Sequence, residues 1–361
     1  MRRLTPSLIT SYSLRGILGP TTASDDALRP FREARDHKIR IGADIYLLME
    51  SDVTPWCKHW AQERSPAVEF MANMTDSQLD QFCAHVTEVM RRQGSQPVAA
   101  TSFIAEISNK MPDPRPDKFV ETFWGKSICT LIRMADRLQA EQPKTVIQIV
   151  VGSVIDLFDV EGEAESRRFT VSSRDRDDLT SVTLDRLAAC LAKVVSEHGI
   201  RSDRIRIAME LEPGPLFLLR DLASLERFAS AIERHPSPLV RDCVGFNLDV
   251  AHWWLCRDIR PDNDLSESIR SRIFGAHISG HSSRGHLGDW GLDKLEARAQ
   301  CGGMAKSQRD AYLAWLKFLA DENRTPNASN YVSIELEAAS PDEDVFASIR
   351  TLEEWLTKAR D

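Results

Sequence analysis

No run of about 18 apolar residues occurs in the 361 residues of this chain, so the sequence offers no membrane-spanning helix. The start, Met1-Arg2-Arg3-Leu4-Thr5-Pro6, lacks the apolar core of a secretory signal, and a cytoplasmic location is the expectation. Without such a signal, the sequons at Asn73-Met74-Thr75 and Asn327-Ala328-Ser329 carry no meaning. Paired cysteines are missing too. Seven cysteines lie at scattered spacings with no CxxC, which reads as reduced thiols rather than a disulfide framework. Positive charge is in deficit: the formal net charge is -8, spread without long acidic runs, which argues against a nucleic-acid partner. No Gly-rich phosphate loop follows any early strand-like segment, which counts against a doubly wound dinucleotide-binding sheet. Internal repeats and low-complexity tracts are also lacking.

What remains is an ordinary globular composition, 42% hydrophobic and 28% charged, in a chain long enough to bury a large core. Short segments rich in branched apolar residues recur with room for a helix after each. They are Leu8 to Leu14, Ile39 to Leu48, Pro97 to Ile104, Thr145 to Val151, Ile205 to Leu211, Val244 to Leu248, Ile273 to Ile278 and Tyr331 to Leu336. Between them, Leu79, Phe82, Val86 and Met90 share a helical face, as do Leu184, Leu187, Leu191 and Val194, and Leu222, Leu225, Phe228 and Ile232. Eight strands alternating with helices predict an α/β fold, a closed (β/α)8 barrel, over 1–361 as one domain. Its first strand is expected near 8–14, its eighth near 331–336, and a C-terminal helix at 342–359. The polar stretches Pro112 to Asp117 and Val160 to Asp178 read as long loops at the C-terminal face.

Four of the apolar segments end in residues suited to a metal. The fifth runs Met209-Glu210-Leu211-Glu212-Pro213-Gly214; alternation puts Glu210 and Glu212 on one side, where two carboxylates repel unless a cation or proton lies between them. The sixth delivers Asp249 and, three residues on, His252, where an Asp capping a following helix is the plainer alternative. The seventh carries His277 between Gly275 and Gly280 and leads to His281, Arg284, His286 and Asp289. The eighth ends Ser333-Ile334-Glu335-Leu336-Glu337. In a parallel barrel all strand C-termini reach one mouth, so Glu210, Asp249, His277 and Glu335 are expected to meet there. Mostly oxygen donors favour one divalent cation, Mn²⁺ or Mg²⁺ first, with Co²⁺ or Zn²⁺ also admitted.

At these residues, over Ile205 to Glu337, the sequence resembles the xylose isomerase-like TIM barrels, a superfamily of metal-dependent sugar and inositol isomerases, epimerases and dehydratases. Glu210 before Pro213-Gly214, Asp249-x-x-His252, His277 and Ser333-Ile334-Glu335 match its pattern. The resemblance implies metal ligation by Glu210, Asp249, His277 and Glu335, with His252 facing the substrate and Arg284 beside it. Glu212 and Glu337 depart from it, so Glu210 against Glu212, and Glu335 against Glu337, stay open as ligands. The implied chemistry is isomerisation or epimerisation of a small carbohydrate or cyclitol. The two ligand glutamates would move protons through a metal-stabilised enediolate, with Glu210, Glu335 and His252 as catalytic groups.

Arg284, Glu212, Glu337, His281 and Trp253 are the candidate substrate contacts, with Trp254, Trp290 and Trp124 as further aromatic faces. Pairing of such barrels into homo-oligomers is common. Three competing readings are a dehydratase or lyase on the same site, an abasic-site endonuclease drawing imidazoles from His59, His85, His281 and His286, and a catalytically silent binding scaffold.

Overall fold

The computed structural model describes residues 1–13, 25–48, 71–102, 107, 115–138, 145–150, 173–214, 217–256, 259–261, 265–281, 289–336 and 345–360. Eight parallel strands form a curled sheet with helices on its outer side: β1 Thr5–Ser13, β2 Gly42–Leu48, β3 Gln96–Ser102, β4 Thr145–Val150, β5 Ile205–Glu210, β6 Val244–Asp249, β7 Ile273–Ile278 and β8 Tyr331–Ile334. Each pairs with its neighbours in sequence, and β1 pairs with both β2 and β8, so the order of pairing closes on itself. The half-polar first strand begins earlier than expected and β8 stops before Glu335. A separate two-residue ribbon joins Gly280–His281 to Asp289–Trp290.

The helices form where apolar spacing and end signals agree. Asp76–Arg92 starts on a capping box, in which Thr75 Oγ1 accepts from the Gln78 backbone N–H at 3.3 Å and Gln78 Oε1 accepts from the Thr75 N–H at 2.8 Å. It buries Leu79, Phe82, Cys83, Val86 and Met90, the face expected from spacing with Cys83 added. Leu222–Arg234 is capped by Asp221 and buries Leu225, Phe228, Ala229 and Ile232. Part of Val160 to Asp178 is a correction. Residues from Ser173 onward are the first turns of the long helix Ser173–His198 rather than loop, because Arg176, Leu179 and Thr180 bury among a run of polar neighbours. Likewise Pro116 and Asp117 open the short helix Pro116–Val120, with proline at the position where its missing N–H costs nothing. The C-terminal helix spans Val345–Lys358.

The main core lies between the sheet and these helices. A smaller apolar cluster, Val98, Ala99, Ala208, Phe274 and Tyr331, is separate from it. These residues come from β3, β5, β7 and β8. Since β3, β5 and β7 are not adjacent, their contact runs through the interior of the curled sheet.

Two register shifts shape that interior. Between β2 and β3, Ala43 pairs with Pro97 but Asp44 pairs with Ala99. Between β6 and β7, Phe246 pairs with Ile273 but Asn247 pairs with Gly275. The second shift lets Asp249 stand opposite His277. Gly245 permits the close approach beside it: a Cβ there would lie 2.2 Å from the Arg272 carbonyl oxygen and 2.5 Å from the Phe274 ring.

Among the described residues no helix is long and apolar enough to cross a membrane. The described cysteines are unpaired.

Candidate metal centre

Four neighbouring strands deliver the expected residues to one place. Glu210 is the last residue of β5 and Asp249 the last of β6, His277 is next to last in β7, and Glu335 follows β8 directly. Register aligns them: Glu210 pairs with Asn247, Asp249 with His277, and His277 with Ser333, two residues before Glu335. One ligand-type atom from each of Glu210, Asp249, His277 and Glu335 lies within 4.8 Å of the other three. Among the described residues this is the one group placed to hold a metal ion. His277 is fully buried, Glu210 and Asp249 nearly so, and Glu335 is 17% exposed.

Hydrogen bonding settles which imidazole nitrogen faces the cluster. His277 Nε2 lies 3.3 Å from Asp44 Oδ2. An ionised carboxylate only accepts, so Nε2–H donates to Asp44 and Nδ1 is turned to the other side. There Nδ1 lies 3.3 Å from Glu210 Oε1 and 3.2 Å from Glu335 Oε2. Among the described residues neither His277 Nδ1 nor Glu210 Oε1 has a hydrogen-bond partner while the ring is neutral, although both are buried. Orphaned acceptors converging in a dry place are costly unless a positive charge joins them. A divalent cation fits this donor set of carboxylate oxygens and one imidazole nitrogen.

A proton competes for the same position. Burial alone would lower the His277 pKa, but the Glu210 and Glu335 carboxylates and the bond to Asp44 push it well above the ordinary 6.5. For Asp249, burial acts upward. His252, His277, the His252 backbone N–H and the Glu335 side chain outweigh it and keep the acid below its ordinary range.

Asp249 plays both parts that the sequence offered it. Its Oδ1 accepts from the His252 N–H at 2.9 Å, capping the helix Val250–Leu255, and its carboxylate also joins the cluster. The cap fixes His252 one turn above the strand end. His252 Nδ1 lies 2.9 Å from the Leu211 carbonyl, which only accepts, so Nδ1–H is the donor. Its Nε2 then points at Glu212, with 3.8 Å to Oε2. His252 Nδ1 is 3.9 Å from Glu210 Oε1 and 3.8 Å from Asp249 Oδ2, so this imidazole sits against the cluster without belonging to it. Glu210 and Glu212 therefore separate: the first joins the four, the second faces His252.

Trp253 is fully buried and makes a T-shaped contact with Trp315 of the helix Gly303–Ala320, ring centres 5.3 Å apart. His85 is exposed on the helix Asp76–Arg92. Arg284, Glu337, His59 and His286 lie outside the described residues, as do the side chains of His281 and Trp290.

Asp44 was not among the expected residues. It is fully buried in β2 and accepts from Thr101 Oγ1 at 2.7 Å as well as from Ser333 Oγ at 3.0 Å. A lone acid inside an otherwise apolar strand, Ile41-Gly42-Ala43-Asp44-Ile45, was the signal available, since a buried charge requires partners.

Solved structures similar to the chain include xylose isomerase-like TIM barrels. One is an IolI protein with a bound zinc atom, at 14% identity and a TM-score of 0.49 over 99% of this chain and 98% of that one. A D-allulose 3-epimerase from Methylomonas sp. is 14% identical, with a TM-score of 0.47 over 99% of both chains. An AP endonuclease of family 2 from Brucella melitensis is 13% identical, with a TM-score of 0.45 over 98% of this chain and 99% of that one. Likeness at this level assigns no reaction. No protein-family model and no curated protein matches the chain.

Proposed function

We propose that this chain is a divalent-metal-dependent isomerase or epimerase of a small sugar or cyclitol, built as a (β/α)8 barrel with long loops over its mouth. The observation that carries the reading is the convergence of one atom each from Glu210, Asp249, His277 and Glu335 within 4.8 Å, two of the buried atoms there lacking hydrogen-bond partners among the described residues while the imidazole is neutral. These four would hold the cation, Mn²⁺ or Mg²⁺ first and Co²⁺ or Zn²⁺ also compatible with the donors. When bound, such a cation supplies Lewis acidity that acidifies a C–H beside a substrate carbonyl.

The remaining chemistry belongs to the chain. Glu210 and Glu335 come from strands on either side of β6 and β7, so a carbon held between them is within reach of a carboxylate from two directions. One removes a proton, the other returns it, and the intermediate between them is an enediolate. Return to the opposite face of the same carbon gives an epimer; return to its neighbour gives an aldose–ketose pair. His252, whose Nδ1–H is held by the Leu211 carbonyl, presents Nε2 beside Glu212 for a substrate oxygen. Arg284, His281 and Glu337 remain candidates for outer hydroxyls. A nucleic-acid substrate fits less well: the net charge is -8, and His85 is exposed on an outer helix rather than at the cluster.

The test is proton exchange. Glu335→Gln should lower exchange at the substrate's α-carbon in D₂O by about 10²-fold or more, the usual scale of a positioned acid–base group. Unimpaired exchange removes Glu335 from the reaction. Loss of water in the product, instead of a mass-neutral change, selects the dehydratase or lyase reading on the same residues.

A further inference from the structure

We infer that Asp44 is the positioning residue of the cation site, holding His277 in the tautomer that aims Nδ1 at Glu210, Asp249 and Glu335. The inference rests on the metal-centre reading above and adds a residue from the opposite half of the chain, 233 positions away in sequence.

Asp44 is fully buried in the middle of β2, and its carboxylate is held on both oxygens. Oδ1 accepts from Thr101 Oγ1 on β3 at 2.7 Å; Oδ2 accepts from Ser333 Oγ on β8 at 3.0 Å and from His277 Nε2 on β7 at 3.3 Å. Four strands thus meet in one network under the cluster. A carboxylate clamped by two hydroxyls cannot swing away, and it can offer the imidazole only a lone pair. His277 must place its hydrogen on Nε2. The opposite nitrogen is then left as a donor toward the cluster, which is the arrangement by which carboxylate partners orient ligand imidazoles and raise their basicity.

A purely structural Asp44 would tie strands together without caring which nitrogen bears the hydrogen. Asparagine separates the two roles. Its amide N–H can donate to Nε2, and the imidazole hydrogen then moves to Nδ1, where it blocks the lone pair.

The experiment uses the full chain, titrated calorimetrically with Mn²⁺, together with ¹⁵N spectra of the His277 ring in metal-free protein at a pH where the ring is neutral. Asp44→Asn is expected to weaken Mn²⁺ binding 10- to 100-fold, the usual effect of losing such a partner. The ring hydrogen is expected to move from Nε2 to Nδ1. Unchanged affinity in Asp44→Asn, or a hydrogen already on Nδ1 in the parent protein, overturns the inference. Should Asp44→Asn fail to fold, Thr101→Val and Ser333→Ala each free one side of the carboxylate. Each is expected to lose a few-fold in affinity, and affinities equal to the parent overturn the inference. If the parent binds no divalent cation yet its ring hydrogen sits on Nε2 and shifts in Asp44→Asn, the tautomer assignment holds and the metal-centre reading falls instead.

Discussion

Strands β5 to β8 bring the ligand-type residues to the site, and strands β2 and β3 bring the hydrogen-bonding groups behind one of them. Glu210, Asp249, His277 and Glu335 sit at or just beyond the strand termini, where the curled sheet opens. Asp44 lies within β2 and bonds the same imidazole, and Thr101 of β3 holds Asp44 in turn. One region supplies charge that a ligand can meet; the other supplies hydrogen bonds that decide where that charge points. Such a site needs both, because a strand end by itself has no partner to hold a side chain in one rotamer or tautomer.

The sharpest way to break this division is to delete the imidazole that both regions share. His277→Ala should weaken divalent-cation binding at least about 100-fold in a calorimetric titration, the upper part of the range for losing a partner of a metal site. A loss of only a few-fold would mean that the carboxylates hold the ion without it.

Next in size is Gly245→Ala, which touches no candidate ligand. A Cβ at 2.2 Å from the Arg272 carbonyl must force β6 and β7 apart, at a cost of about 3 kcal/mol in urea unfolding. Cation affinity should fall with it, because the shifted register that sets Asp249 opposite His277 lies beside this contact. Wild-type affinity in a destabilised variant would uncouple the register from the site.

A milder probe is pH. The carboxylates raise the His277 pKa above 6.5, so its proton persists to higher pH than in a free imidazole and must leave before a cation takes its place. Apparent cation affinity should therefore climb as pH rises through 6.5 and beyond, measured by titration at fixed ionic strength. An affinity that stays level across that range would remove His277 as a ligand.

The smallest effect is expected from the first strand. Ser7 pairs with Ser333 in register, and its buried hydroxyl has no hydrogen-bond partner among the described residues. Ser7→Ala discards an unmet polar group, so thermal unfolding should show no loss, or a gain of up to about 1 kcal/mol. Cation affinity should not change. A drop in affinity would bring β1 into the supporting network and blur the contrast between the two regions.

Most of the fold could be read from spacing. Thr145–Val150, Ile205–Glu210, Val244–Asp249 and Ile273–Ile278 fall within a residue or two of the segments that apolar runs marked, because a strand covered on both faces must be apolar throughout. The helical faces at Leu79, Phe82, Val86 and Met90 and at Leu184, Leu187, Leu191 and Val194 are buried as their period required. The four-residue cluster was legible for a related reason. Each member interrupts or ends an apolar run, and in a parallel sheet equal ends share one edge. The packing of Trp253 is not legible in the sequence, because a large aromatic next to a site residue looks the same whether it faces the mouth or a neighbouring helix. Its aromatic neighbour is Trp315, 62 residues later.

The chain's own residue order determined the alternation of strand and helix, the polar residues at the ends of β5 to β8, and Asp249 as both cap and cluster member. Those are local matters, governed by periodicity and by hydrogen bonds within a few residues. Only the folded arrangement decided that Asp249 faces His277, that Glu210 rather than Glu212 joins the four, and that Asp44 supports them. The physical reason is register. A slip of one residue between β6 and β7 would turn side chains to the opposite face, and that slip depends on how Gly245, Arg272 and Phe274 pack, which no local pattern encodes.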